Sequence, residues 1–283
     1  MPGTPEREHR PECCCGSTAF ERQESYSRYM GLDASPWGIV RCCNCGLVTR
    51  TPSLFASAPA VPPATRSRLR RPAEWSGGSA CVPPRLLERL AEARRCVPKA
   101  SVLDVGAGTG AFLIAAREQG WEVTGTELNP QSATALKVHG IPLLTTELEQ
   151  APFADGTFGL VHMHHVLEHT RSPLAVLRAA HRILMPGGFL VVEVPNELRS
   201  LASVTKRFLR SREDSETTGL EHEWFFAPAS LSRVLRDAGF EHARVETPYL
   251  PVAGRRVRSV LSLVASKVAA GDVIVAWARK QAG

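Results

Sequence analysis

The chain has 283 residues, 43% of them hydrophobic and 22% charged, which suits one ordinary globular domain plus a smaller accessory region. It contains no uninterrupted apolar run of about 18 residues, and its polar start, MPGTPEREHRPE, lacks the apolar stretch of a secretory signal, so the cytoplasm is the expected address. A formal charge of +6, from 34 basic against 28 acidic residues, is too mixed to identify a polyanionic partner by itself.

Residues 1–52 carry six of the eight cysteines, at 13, 14, 15, 42, 43 and 45; the others stand at 81 and 96. In a cytoplasmic chain such crowding points to metal ligation rather than disulfides. Cys42-Cys43-Asn44-Cys45-Gly46 supplies a C-x-x-C knuckle whose turn lets two thiolates meet one tetrahedral ion, with the mate expected near Cys13 to Cys15. Cys81 and Cys96 read as packing residues. Residues 53–80, rich in Ala, Pro, Ser, Gly and Arg without hydrophobic periodicity, read as a linker to a main domain over 81–283.

From residue 81 onward helices and strands alternate. Residues 84–93 (PRLLERLAEA) place apolar side chains at helical spacing, 101–105 (SVLDV) is a short apolar strand broken by one acid, and a glycine-rich turn leads to a helix over 111–119 and a strand over 122–127. A helix near 130–139, a strand near 143, a strand over 160–163, a helix over 173–184 and a strand over 188–194 follow. This order predicts an α/β fold with a parallel sheet covered by helices on both faces. The tail adds a helix over 230–238 stopped by Gly239, a strand over 240–247, a basic amphipathic stretch over 255–270 and a last strand over 272–277. The two late strands suit an antiparallel pair at a sheet edge. Basic residues gather at 66–71, 199–212 and 255–258; solvated faces and linkers explain most such runs, and phosphorylated, nucleic-acid or membrane-surface partners explain the rest.

The residues from Val102 to Gly110, VLDVGAGTG, put Gly106, Gly108 and Gly110 between a strand and a helix. Glycine permits the tight turn and close approach of a ligand, while the helix start offers unpaired N–H groups. Glu127 ends the next strand about 20 residues later, where a carboxylate can accept two ribose hydroxyls. A nicotinamide dinucleotide needs G-x-G-x-x-G; the spacing here is G-x-G-x-G, and Asp104 adds a negative charge that suits a cationic ligand better than a diphosphate.

At these residues the chain resembles the class I S-adenosylmethionine-dependent methyltransferases, and the resemblance covers nearly all of 81–283. VLDVGAGTG is similar to their first motif, TGTELNP to the second with its ribose-binding acid, and LMPGGFLVVEVPN to the helix-turn-strand after the fourth strand. PFADGTFGLVHMHHVLEHTRSPLAVLRAAHRIL and HEWFFAPASLSRVLRDAGF are similar to the branch whose members methylate sugars, quinone precursors and secondary metabolites. The resemblance implies a Rossmann-like, seven-stranded, mostly parallel sheet and S-adenosyl-L-methionine as cofactor. Asp104, Gly106, Gly108 and Gly110 would line the amino-acid end of that cofactor, Glu127 would hold the ribose, and Glu147 is a candidate for the adenine edge. Gly159 departs from the family's usual TFDLV string, which bears on local packing or turn geometry more than on catalysis.

Methyl transfer from a sulfonium is an in-line displacement, so the enzyme must position the acceptor and remove its proton if it is a hydroxyl. His162, His164, His165, Glu168 and His169 follow the fourth strand, at the carboxyl ends where such sheets bind ligands, and His164 is a candidate cofactor contact. A helix beginning near His165 would put His165, Glu168 and His169 on one face, a possible divalent-metal face. The string also resembles an inverted metalloprotease motif, a reading that leaves the glycine turn without a purpose. The ubiquinone-type O-methyltransferases carry E-x-x-E-H there, and His165 replaces the first acid. The alternative is that Glu168 and His169 cap and orient the helix; His169 and His165 are otherwise the catalytic candidates. His181 reads as a packing histidine. His222 is a second candidate base, Trp224 and Phe225 an apolar wall or a core anchor, and Asn196 is placed to reach the acceptor pocket.

The cysteine segment is in turn similar to the zinc ribbons that precede some methyltransferases. Cys15-Gly16 matches half a knuckle but position 12 is Glu, so the expected structural zinc ligands are Cys13, Cys15, Cys42 and Cys45, with Glu12, Cys14 or Cys43 as substitutes and free thiols as the alternative. The expected activity is O-methylation of a sugar, natural product or other small polar metabolite. An RNA methyltransferase is the runner-up, weakened by the lack of interleaved basic and aromatic residues in the cysteine segment, and a non-catalytic S-adenosylmethionine-binding scaffold comes third. The stretch over 255–270 allows a lipid-linked acceptor at a membrane surface. Oligomeric state is not legible.

Overall fold

The computed structural model describes residues 12–29, 38–51, 82, 84–97, 99–199, 222–248 and 270–282. The expected linker over 53–80, Cys81, the basic runs at 66–71, 200–212 and 255–258, and the amphipathic stretch up to residue 269 lie outside the described residues.

The chain opens with β1 (Phe20–Arg22), α1 (Glu24–Tyr29), β2 (Gly38–Cys42) and β3 (Val48–Thr51). Then come α2 (Pro84–Cys96), β4 (Ser101–Val105), α3 (Ala111–Glu118), β5 (Glu122–Thr126), α4 (Pro130–Val138) and β6 (Leu143–Leu144). The second half runs through β7 (Phe158–His164), α5 (Pro173–Ile183), β8 (Leu184–Pro195), β9 (Trp224–Phe225), α6 (Pro228–Asp237), β10 (His242–Glu246) and β11 (Val273–Arg279).

Seven strands form the main sheet in the order β10-β11-β8-β7-β4-β5-β6. The five from β8 to β6 are parallel, and β11 runs antiparallel to both β8 and β10, so the late pair closes the edge as the spacing suggests. All of SVLDV is buried because helices cover both faces. Leu86, Leu90 and Ala93 of α2 and Phe112 to Ala116 of α3 pack on one face with Val102, Val191 and Val275. On the other face Leu174, Leu177 and Ile183 of α5 and Leu231, Val234 and Leu235 of α6 pack with Leu103, Val161, Leu190 and Val192.

Capping fixes where the helices start. Asn129 accepts from Gln131 N ahead of α4 and Ser172 from Ala175 N ahead of α5, each with Pro at the first helical position. The helix-turn-strand expected around LMPGGF is tighter than the sequence suggests, since β8 begins on the residue after α5 ends. Gly159 has a packing reason: a Cβ there would lie 2.0 Å from the Lys99 carbonyl oxygen. The register shift between Phe158 and Leu160 falls at the same place.

A second sheet, β1-β2-β3-β9, is antiparallel throughout. Its fourth strand comes not from the cysteine segment but from residues 224–225 of the main domain. Among the described residues no helix is long and apolar enough to cross a membrane.

Candidate active site and cysteine centre

The glycine turn sits where β4 ends, between the two strands, β5 and β7, that flank it in the sheet. Gly106, Gly108 and Gly110 all have positive φ, at 68°, 54° and 77°. An added Cβ on Gly106 would strike Val166 Cγ2 at 2.6 Å, and one on Gly110 would strike Leu136 Cδ2 at 1.8 Å. A Cβ on Gly108 would meet only Gly106 O, in ordinary contact at 4.0 Å. Glu127 reaches this turn from the end of β5. Its Oε2 accepts from Gly108 N and its Oε1 from Asn129 N, both at 2.7 Å. Each oxygen keeps a second lone pair, so two hydroxyls can still be received. Glu147 heads the short 3-10 turn Leu148–Gln150 and accepts from Gln150 Nε2 at 3.4 Å.

Asp104 is buried and engaged inside the sheet, its Oδ1 lying 2.7 Å from His162 Nδ1 on β7. The His162 ring stacks on Phe112 at 3.9 Å, and its Nε2 is buried without a hydrogen-bond partner. No α-helix starts at His165. That residue has a φ of 56°, a left-handed conformation rare outside glycine, and the segment after it is a 3-10 turn, Leu167–His169. The common helical face expected for His165, Glu168 and His169 is therefore absent.

The reversed backbone instead sets the His165 ring between two buried carboxylates. Nδ1 lies 3.1 Å from Glu168 Oε1 and Nε2 lies 3.4 Å from Glu193 Oε1. Burial pulls this imidazole down, but the two carboxylates outweigh it and hold its pKa up at about 9. Glu193 is the hub of the region. Arg89 Nη2 donates to its Oε2 at 2.6 Å, while Arg85 Nη2 at 3.3 Å and His164 Nε2 at 3.1 Å share its Oε1. Burial would raise Glu193, yet hydrogen bonds from His164 and His165 and the charge of Arg89 keep it well below the usual carboxylate range. His164 is pulled below its ordinary value by burial, against the opposing effect of Glu193.

On the far side of Glu168 lies a second group. Donor atoms of Glu168, His169 and His222 lie within 4.8 Å of one another. The His169 and His222 rings meet edge to face at 4.8 Å, and Glu168 Oε2 is buried with no hydrogen-bond partner. Glu197 accepts on Oε2 from His222 Nδ1 at 3.0 Å; burial lowers His222 and Glu197 more than compensates, leaving it above its ordinary value. Trp224 is buried and donates from Nε1 to Thr170 O at 2.9 Å, the behaviour of an anchor. Asn196 is fully buried and donates to Gly271 O, turned into the fold. His181 packs edge-on against Phe240.

Sequence reasoning missed Arg85, Arg89, Glu193 and Glu197. The signal was present for Glu193: a lone acid in GFLVVEV, a strand that otherwise reads as fully buried, needs cationic partners. Arg85 and Arg89, four apart on α2, supply them.

The structure gathers Cys13, Cys15, Cys42 and Cys45, with all four Sγ atoms within 4.8 Å of one another. Cys13 lies 3.4 Å from Cys45 and Cys15 lies 3.6 Å from Cys42, close to the ~3.8 Å edge of a tetrahedron with 2.3 Å metal–sulfur bonds. Gly16 and Gly46, with φ of 81° and 75°, turn the chain behind each pair. Glu12 and Cys43 are exposed. Cys96 is exposed as well, which corrects its reading as a packing residue: it closes α2 on the solvent side.

A family model described as a methyltransferase domain matches residues 70–245. The ubiquinone biosynthesis O-methyltransferase of Xanthomonas campestris pv. campestris is 30% identical over 156 residues, which make up 52% of this chain and 64% of that protein. The match thus spans less than two thirds of the relative. An S-adenosylmethionine-dependent methyltransferase structure from Thermotoga maritima superposes with a TM-score of 0.52 at 20% identity, covering 69% of this chain and 89% of that one. The [4+2]-cyclase SpnF superposes with a TM-score of 0.51 at 20% identity, covering 74% and 87%, a reminder that the fold alone does not name the reaction. With the family model covering 70–245, most of the main sheet, the chain belongs to the class I S-adenosylmethionine-dependent methyltransferases.

Proposed function

We propose that the protein methylates a hydroxyl oxygen of a small polar acceptor, a sugar or a phenol-like metabolite, with His222 and His169 taking the acceptor's proton. The observation that carries this reading is the imidazole pair beyond β7 and β8, backed by Glu197 on one side and Glu168 on the other. The name of the Xanthomonas relative favours oxygen as the receiving atom.

The residues present fit S-adenosylmethionine: Gly108 has room for a Cβ, with only Gly106 O near it at 4.0 Å, in a turn of three positive-φ glycines, and Glu127 stands beside it with lone pairs to spare. When bound, that cofactor supplies an electrophilic methyl on a sulfonium. The glycine turn and Glu127 would hold its sugar and main body. His165, kept as a cation between Glu168 and Glu193, is a fixed brace and not a base. His222 has Nδ1 committed to Glu197, so its Nε2 would be the atom to accept the acceptor's proton. Asp104 orients His162 beneath this loop.

A divalent cation held by Glu168, His169 and His222 is the second reading, favoured by the unpartnered Glu168 Oε2. Labelled methyl transfer to catechol, to a nucleotide sugar and to an amine, before and after chelation, separates these. Oxygen-linked label that survives chelation supports the imidazole mechanism. Loss restored by Mg(II) or Mn(II) gives the site to a metal, and label on the amine alone removes the oxygen assignment. For the cysteine centre the proposed occupant is one zinc ion in a four-thiolate site.

A further inference from the structure

The cysteine-centred sheet touches every segment that carries an acceptor-side group. β9 follows His222 by one residue and pairs with β3 through Val48↔Phe225 and Thr49↔Trp224. Between them, Glu223 is gripped from both sides. Arg50 Nη2 donates to its Oε1 at 3.0 Å, with both side chains 13% exposed, and Thr49 Oγ1 donates to its carbonyl at 2.9 Å. In the other direction Glu223 N donates to the Glu168 carbonyl at 2.9 Å. Tyr26 of α1 donates to the carbonyl of Leu198, the neighbour of the Glu197 that holds His222. Cys13, Cys42, Cys45 and Leu47 share one core with Trp224, Phe226 and Leu231.

The cofactor turn takes most of its support from elsewhere, Gly110 against Leu136, Ala107 N on Thr126 O and Gly108 N on Glu127, and meets the acceptor-side segment at Gly106, which packs against Val166. The two halves of the site thus have largely different supports and share the Gly106–Val166 contact. We propose that the cysteine-centred sheet is the clamp of the acceptor half, with Glu223, Arg50 and Thr49 as positioning residues for His222 and Glu168, so that loading of the four-cysteine centre governs acceptor turnover without governing cofactor affinity. The inference rests on the zinc and oxygen-transfer readings above.

The test uses the full zinc-loaded chain and three variants: Arg50→Glu, Glu223→Arg, and the two together, which restore an ion pair with its charges exchanged. Measured quantities are S-adenosylmethionine affinity by calorimetry, zinc content, kcat and KM for catechol, and amide exchange over 167–170 and 222–226. Each single variant is expected to keep cofactor affinity within about twofold while exchange in those two segments rises at least about tenfold. Its kcat is expected to fall about 10- to 100-fold, as for a misplaced catalytic group, and the exchanged pair to recover most of both losses. Chelation followed by zinc return should reproduce the same split reversibly. Native exchange in the single variants overturns the clamp, as does cofactor affinity that falls in step with exchange or an exchanged pair that recovers nothing. Because exchange is read without an acceptor, a protein that never methylates catechol counts against the activity while the clamp is still judged.

Discussion

Gly108 and Gly110 both have positive φ but differ in their surroundings, and that difference separates folding from binding. A Cβ at Gly110 meets Leu136 at 1.8 Å, so Gly110→Ala should cost roughly 2–4 kcal/mol from crowding and the left-handed backbone together, read by urea unfolding. Gly108→Ala makes only an ordinary contact with Gly106 O and should cost about 1 kcal/mol while losing S-adenosylmethionine affinity at least about tenfold. Native cofactor affinity in that variant would remove the cradle from the turn. His165 makes a second case. Its folded pKa, about 9, stands above the ordinary 6.5, so its stabilisation is complete below 6.5 and disappears as pH climbs through 9. The melting-temperature gap between wild type and His165→Gln should therefore be wide at pH 6 and closed by about pH 10. An equal gap at both pH values would mean that the imidazolium is not braced as described. His222 is also raised, and a base must be neutral, so kcat/KM should rise with pH through a value above 6.5. Glu197→Gln should move that rise to lower pH.

At the scale of elements, β8 and α2 are joined by a buried charge. Arg89→Ala leaves Glu193, which has no solvent exposure, without its shortest contact, and should cost about 3 kcal/mol of unfolding free energy. A loss within the range of an exposed ion pair, under about 1 kcal/mol, would show that Arg85 and the histidines suffice. The elements legible in the sequence were those with long-range pattern: the α2 stripe, the apolar β4 and β8, and the late strands β10 and β11. The strands of the second sheet were not, because β1 (FER), β2 (GIVRC) and β3 (VTRT) are three to five residues long with no sustained alternation, and β9 is a pair of aromatic residues that reads equally well as a core anchor. The His165 helix start failed for a local reason, a single left-handed residue that periodicity cannot display. Spacing put the histidine segment next to the glycine turn, where Val166 meets Gly106, but it could not say which carboxylate each histidine would meet; His165 meets Glu193 and His222 meets Glu197.

Across the whole molecule, the cysteine centre is the feature most open to removal. One zinc per chain is expected by elemental analysis, retained in Cys43→Ser and lost in Cys42→Ser. Full zinc in Cys42→Ser would show that another thiol has taken its place. The second sheet also joins distant parts of the sequence, since Thr49 and Glu223 meet across 174 positions. A chain emerging from the ribosome releases β1, β2 and β3 long before their fourth partner is translated, and Ile39 and Val48, with Tyr26 beside them, lack the cover of Leu198 and Phe225 until then. The segment made first is therefore among the last to be finished, and whatever ion the cysteines capture early must wait with an open strand edge for the other end of the chain to arrive.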